Sequence, residues 1–142
     1  MSSAQAISRS GMDVEWQRLQ IIAANLANLN SVAPPGTAPY HAMRLISGPV
    51  GTFADAMADR QKKDHIGEVK VLGLEPVAGV ERRVYDPTAP EAGPDGFVTF
   101  PLIDNAAEMA LLIRTSRSYE GNVTALGIAA QMDRQALEIG RG

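Results

Sequence analysis

The chain of 142 residues contains no cysteine, so it cannot form disulfide bonds, thiolate metal sites or a thiol nucleophile. Aromatic residues make up only 5% of it, which predicts a core with few large side chains. No run of 18 apolar residues occurs, and the N-terminus lacks a charged segment followed by an apolar one. The sequence therefore predicts neither a membrane-spanning helix nor a cleavable signal peptide.

The charge balance argues against a nucleic-acid-binding protein. The chain contains 13 basic and 16 acidic residues, which gives a net charge of −3, and it has no extended cluster of lysine and arginine. With 45% hydrophobic residues, a chain of this length is expected to form one ordinary domain with a modest core.

Catalytic and metal-binding motifs are also missing from the sequence. There is no G-x-S-x-G element, no Walker A sequence and no G-x-G-x-x-G loop. His41 and His65 are the only histidines, and neither has the spacing of a metal ligand, so both are expected in surface or turn positions. We therefore predict that the chain is not an enzyme and uses no cofactor or metal.

The C-terminal third reads as one long helix over residues 104–140, about 55 Å in length. Steps of three and four residues define a first apolar row, broken only by two polar members: Met109, Leu112, Ser116, Tyr119, Val123, Leu126, Ala130, Asp133 and Leu137. A second row runs along a neighbouring face: Ala125, Ile128, Met132, Gln135 and Ile139. A contact with one other helix can bury only one of these rows.

The start of this helix carries two capping candidates. Asp104 and Asn105 offer side-chain oxygens to the first amides, and Glu108 stands three residues after Asn105, as in a capping box. We interpret Glu108 as the reciprocal capping residue. Gly140 marks the expected end of the helix.

The N-terminal segment, residues 4–29, predicts a second long helix with more than one apolar face. One row comprises Met12, Trp16, Leu19, Ala23 and Leu26, and a second comprises Ile7, Val14 and Ile21. Both helices also contain small residues. Gly11, Gly121 and Gly127 either allow close approach of the helices or are merely tolerated, at about 1 kcal/mol each relative to alanine.

The middle of the chain predicts a small β-rich region. Three prolines and a glycine make residues 30–39 a loop. Short strands are expected at residues 40–46, 68–71 and 97–101, with a further β-like stretch before the turn-rich residues 86–96. Residues 55–64 are highly charged and are expected to form an exposed connection.

These patterns predict an α+β fold in which two long terminal helices pack through coiled-coil-like seams. The small β-rich middle domain lies between them along the chain. We expect residues 1–30 to be the N-terminal helix of an inner helical core, residues 31–103 to form the loop and middle domain, and residues 104–142 to contain the C-terminal helix. Both helices have more apolar surface than one contact buries, so we expect other molecules to cover the rest.

Several stretches of the sequence resemble the bacterial flagellar axial proteins, the rod and hook group. Residues 24–28, Ala-Asn-Leu-Ala-Asn, follow a helix that contains Gly11-Met12 and are similar to the N-terminal signature of that group. Other stretches are similar to the FlgC type of proximal rod protein: residues 39–40, residues 84–87 with Pro90 and residues 96–98, and residues 108–109 with residues 116–123. The likeness covers nearly the whole chain. The sequence departs from it at Ala89-Pro90, where relatives have His-Pro, and at residues 101–103, where they have Pro-Asn-Val.

The resemblance implies a structural subunit of the flagellar basal-body proximal rod, the helical drive shaft that transmits torque for motility. It implies export from the cytoplasm by the flagellar type III pathway into a rod that spans the periplasm. The implied partners are other copies of the chain, other rod proteins, the export apparatus and components of the MS ring, with no nucleic acid and no direct membrane span.

The residues expected at the assembly interface combine the helical rows with the two signature asparagines: Met12, Trp16, Leu19, Ala23, Asn25, Leu26, Asn28, Met109, Leu112, Tyr119, Val123, Leu126, Ala130 and Leu137. An alternative hypothesis is a helical adaptor or export-linked regulator that forms a closed complex with one partner. Such an adaptor would give a complex of fixed size, whereas a rod subunit would form helical stacks.

Overall fold

The computed structural model describes residues 3–51, 54, 57, 67–79 and 81–140. Two long helices, α1 (Ser3–Ala27) and α2 (Asn105–Ile139), flank four strands: β1 (Met43–Pro49), β2 (Val69–Pro76), β3 (Glu81–Tyr85) and β4 (Phe97–Pro101). The predicted α+β class is confirmed. The charged connection expected at residues 55–64 lies outside the described residues apart from Met57, and so does His65.

The two helices form an antiparallel pair. At one end, Nε2 of Gln5 donates a hydrogen bond to Oδ2 of Asp133 at 2.9 Å, and at the other end Asn25 of α1 meets Glu108 of α2. Asp104 caps α2, because its carboxylate accepts a hydrogen bond from the amide of Ala107 at 3.0 Å. The predicted helix start at this position is confirmed.

The first two strands form a sheet that lies beside α1. β1 pairs antiparallel with β2, from Met43 opposite Pro76 to Pro49 opposite Val69, with an irregularity in register between Ile46 and Ser47. Side chains of α1 bind this sheet at Ser10, Arg18 and Asn25. Oγ of Ser10 accepts a hydrogen bond from the amide of Val69 at 3.1 Å, and Nη2 of Arg18 donates to Oγ of Ser47 at 2.9 Å. β1 begins and ends about three residues later than predicted.

The last two strands form a separate hairpin. β3 pairs antiparallel with β4, from Glu81 opposite Pro101 to Tyr85 opposite Phe97. The turn-rich residues 86–96 join them, and Gly96 has φ of +79°, a conformation that disfavours other residues. The amide of Ala33 donates to the carbonyl of Thr99 at 3.1 Å, which attaches the loop after α1 to β4.

The three helical glycines have different surroundings. A Cβ added at Gly11 would lie 2.8 Å from Nδ2 of Asn122, so α1 and α2 approach closely there. At Gly121 and Gly127, an added Cβ would have no neighbour within 4 Å. Close helix packing therefore explains Gly11, whereas Gly121 and Gly127 face open space within the single chain.

This difference gives a matched pair of substitutions. We expect Gly121→Ala to raise the free energy of unfolding by about 0.5 to 1 kcal/mol, because alanine is the better helix former and the site is open. Gly11→Ala should give a smaller gain or a loss, since its Cβ must displace the Asn122 amide. Chemical denaturation of the monomer measures both, and equal gains would contradict the close approach at Gly11.

Candidate assembly surface

The face on which α1 and α2 meet is built from polar as well as apolar side chains. The buried residues of α1 are Ser8, Val14, Ile22 and Asn25, and those of α2 are Glu108, Thr115 and Ala129. Apart from Val14, none of them belongs to the predicted apolar rows. The two helices pack against each other as predicted. The residues that this contact buries, however, are mostly neighbours of the predicted apolar rows and not their members.

Asn25 is the centre of this buried face, and its side chain is 0% exposed. Its Nδ2 donates to the carbonyl oxygen of Met43 at 2.9 Å and to Oε2 of Glu108 at 3.2 Å. Its Oδ1 accepts from the hydroxyl of Tyr40 at 2.9 Å and from the amide of Met43 at 3.1 Å. One amide group therefore joins α1, the start of β1 and α2.

Glu108 has a different role from the one that its position after Asn105 suggested. It is 2% exposed, forms an ion pair with Arg44 of β1 and accepts the hydrogen bond from Asn25. The interpretation of Glu108 as a capping residue is therefore wrong, since its carboxylate is held inside the fold. Burial and the negative charge of Glu108 both raise the pKa of Tyr40 above its ordinary value.

The second signature asparagine acts within its own chain as well. Nδ2 of Asn28 donates to the carbonyl of Ala24 at 2.8 Å, and the Ser31 hydroxyl donates to the carbonyl of Asn28 at 2.9 Å. These bonds close the C-terminal end of α1. Because Asn25 lies inside the fold, the surface available to another subunit does not include it.

The predicted rows of α1 and α2 meet along one edge of the helix pair. The rings of Trp16 and Tyr119 lie 6.3 Å apart, and helical spacing places the other members of each row on the same side. We call this surface the Trp16 edge. Its half-buried members are Met12, Leu19, Leu26, Leu112, Ser116, Tyr119, Leu126, Ala130 and Asp133, and its exposed members are Trp16, Ala23, Met109, Val123 and Leu137.

All the members of the second predicted row of α2 are exposed to solvent. Ile128, Met132 and Ile139 are 54%, 63% and 82% exposed, and spacings of four and seven residues place them on one side of the helix. Ala125 and Gln135, which complete the row, are also exposed. We call these five residues the outer face of α2.

Exposed large apolar residues are fewer on α1 than on α2. On α1 they are Ile7, at 37% exposed, and Trp16, at 54%, while four other exposed residues are polar: Arg9, Asp13, Gln17 and Gln20. Water can solvate these polar side chains, so most of the exposed apolar surface of the helix pair lies on α2 and on the Trp16 edge.

Comparison with known proteins identifies what this helix pair belongs to. No family model matches the chain. The flagellar basal-body rod protein FlgC of Salmonella typhimurium is 30% identical over 135 residues, which cover 95% of this chain and 94% of the relative. FlgC of Bacillus subtilis is 30% identical over 142 residues, and FlgC of Borreliella burgdorferi is 28% identical over 148 residues, each with 95% or more of both chains covered.

The chain belongs to the FlgC family of flagellar basal-body rod proteins.

As a member of the FlgC family, the chain is a structural subunit of the rod in the flagellar basal body. The resemblance to the axial proteins is confirmed. The structure adds a physical reason for the Ala-Asn-x-Ala-Asn signature, because its first asparagine joins α1, β1 and α2 and its second closes α1.

Sequence patterns missed two residues of this FlgC-family chain, one at the buried face and one on the surface of α2. Arg44 gave no signal before the structure paired it with Glu108. Ile113 is 53% exposed but belongs to neither predicted row. Hydrophobic periodicity cannot identify an apolar surface residue that lies outside a regular row. Such a residue is recognised only from its solvent exposure in the structure.

His41 places Nε2 3.0 Å from the carbonyl oxygen of Val77, so it joins the residues just before β1 to those just after β2, at one end of the first sheet. Within the described part of the chain, no group of three or more potential metal ligands comes together. No described helix combines the length and apolar character needed to cross a membrane.

Proposed function

We propose that this chain assembles through the Trp16 edge and the outer face of α2 into the proximal part of the rod, the helical shaft that transmits torque. The proposal includes type III export from the cytoplasm into a rod that crosses the periplasm. Its partners are further copies of the chain and other rod proteins, with the export apparatus and the MS ring at the rod's base.

The observation that carries this proposal is the exposure of large apolar side chains along α2. Seven of them are 44% to 82% exposed: Met109, Ile113, Val123, Ile128, Met132, Leu137 and Ile139. Each Å² of apolar area removed from water contributes roughly 25 cal/mol, so covering these side chains favours association. Obligate interfaces have this character, because they resemble a domain core divided in half.

A rigid subunit suits the transmission of torque. The 35 residues of α2 form a rod about 52 Å long. The hydrogen bonds of Asn25 and the ion pair of Glu108 with Arg44 hold the first sheet to both helices. A load applied to α2 is therefore passed to α1 and β1 through buried polar contacts as well as apolar packing.

The domain arrangement follows from the same proposal. Residues 1–30 and 104–142 would form the inner helical core of the assembly, and residues 31–103 would lie further from its axis. The relatives are named as rod proteins, which supports a structural role, and we propose that the chain has no catalytic activity.

Complementation of a strain that lacks the chain tests this proposal. We expect wild-type protein to restore swimming and Ile128→Asp to restore little or none, because a charge enters a surface that is buried in the rod. Ile128 is 54% exposed in the single chain, so the substitution should change monomer stability by only about 0.5 kcal/mol or less.

Gln17→Asp is the matched control, since Gln17 is an exposed polar residue of α1 on the side away from the Trp16 edge. It introduces the same charge outside both proposed surfaces and should restore swimming. Equal swimming by both variants would show that the outer face is not an assembly surface. Normal swimming by the uncomplemented deletion strain would refute the rod function itself.

A further inference from the structure

A cleft opens where α1, β1 and α2 meet, at the end of the helix pair that carries the sheet. It has a volume of about 540 Å³. Its floor is apolar, and three arginines stand around it, one from each element: Arg18, Arg44 and Arg114. A site with an apolar floor and charged groups around it is suited to an apolar segment that also carries an anionic group.

The three arginines differ in how their charges are compensated. Arg18 pairs with Glu15, and Arg44 pairs with Glu108. Arg114 is exposed and forms no ion pair or hydrogen bond with a described residue. The cleft therefore has one uncompensated positive charge, and it lies on α2.

The opposite end of α2 has the complementary character. In its last turn, Leu137 is 70% exposed and Ile139 is 82% exposed, and two residues of separation place them about 200° apart around the helix. Glu138 stands between them, exposed and without an ion pair to any described residue. A turn that is apolar on nearly opposite sides cannot be covered by a flat surface, so it requires a cleft.

We propose that the last turn of α2 in one copy of the chain docks in the cleft of a second copy. Leu137 and Ile139 contact the apolar floor, and the carboxylate of Glu138 pairs with Arg114. This contact rests on the proposed rod function and specifies one of the interfaces by which copies of the chain meet.

The geometry of the contact determines the kind of assembly. Leu111 of the cleft and Ile139 are about 42 Å apart along α2, so each copy carries the two complementary surfaces at opposite ends. A contact between two different surfaces is heterologous, and such contacts generate open helical arrays unless their rotation closes a ring. A chain with this contact can add further copies in one direction.

Disulfide crosslinking tests this contact, because the chain contains no cysteine of its own. Arg114→Cys and Glu138→Cys are introduced together into the full chain, which is expressed in its bacterium in place of the wild type. After mild oxidation of isolated basal bodies, we expect a ladder of dimers, trimers and larger species, since each copy is linked at both ends. Each single-cysteine variant should give no ladder.

The control pair is Arg117→Cys with Glu138→Cys, since Arg117 is exposed on α2 but does not line the cleft. A ladder no stronger than that of the control overturns the contact, and so does a crosslinked species that contains a different protein. If the strain that expresses the Arg114→Cys, Glu138→Cys chain swims but gives no specific ladder, the proposed rod function stands and only the contact between the last turn of α2 and the cleft is refuted. Failure of the rod function would appear instead as normal swimming without the chain.

Charge reversal provides a second measurement that does not depend on crosslinking. Arg114→Glu and Glu138→Arg should each reduce swimming at least tenfold when expressed alone, because each places like charges together. The double variant should recover most of the loss. Normal swimming by either single variant, or no recovery by the double variant, overturns the pairing of Glu138 with Arg114.

Discussion

Replacing Arg44 with methionine is expected to lower the free energy of unfolding by about 3 to 5 kcal/mol. Glu108 is 2% exposed, so without Arg44 its carboxylate remains inside the fold with no cation beside it. Urea denaturation of the purified chain, followed by circular dichroism, measures this effect.

The matched control is the double variant Arg44→Met with Glu108→Leu. Removing both partners of a buried ion pair is often neutral, whereas removing one leaves an uncompensated charge. We therefore expect the double variant to recover most of the stability that Arg44→Met loses. A double variant as unstable as the single one would show that packing of the arginine side chain, and not its charge, stabilises the fold.

Asn25→Ala is expected to lower the free energy of unfolding by about 3 kcal/mol or more. The substitution removes the partner of the Tyr40 hydroxyl, of both backbone groups of Met43 and of one carboxylate oxygen of Glu108. Each buried polar group left without a partner costs about 1 to 3 kcal/mol, and partial entry of water reduces the sum. The same denaturation experiment measures the loss.

Asn28→Ala is the control for this prediction, since it belongs to the same signature and lies at the end of the same helix. Its side chain donates one hydrogen bond, to the carbonyl of Ala24, and it is partly exposed. A loss of about 1 kcal/mol is expected. Equal losses for the two asparagines would contradict the central position of Asn25.

The helices and strands could be predicted from local chemistry. Asp104 caps α2 as expected, and the turn-rich residues 86–96 separate β3 from β4 as their prolines and glycines indicate. Both signals act between residues that are close in sequence, so no tertiary information was needed to recognise them.

The buried face could not be predicted because its contacts are distant in sequence and partly polar. Glu108 follows Asn105 at the spacing of a capping box, and only Arg44 and Asn25, from two other elements, hold its carboxylate inside the fold. Hydrophobic periodicity selected rows around Trp16 and Ile128, which are each 54% exposed. In a subunit that assembles, apolar rows mark surfaces that other subunits cover as well as surfaces buried in the chain.

Cysteine labelling of Ile128→Cys tests the central claim most directly, namely that the outer face of α2 is buried between subunits of the rod. Ile128 is 54% exposed in the single chain, and no native cysteine competes for the reagent. We expect a maleimide to react rapidly with the purified monomer and at least tenfold more slowly with isolated basal bodies, and to react again after the basal bodies are dissolved in denaturant. Equally rapid labelling of the monomer and of the intact basal bodies would contradict the claim.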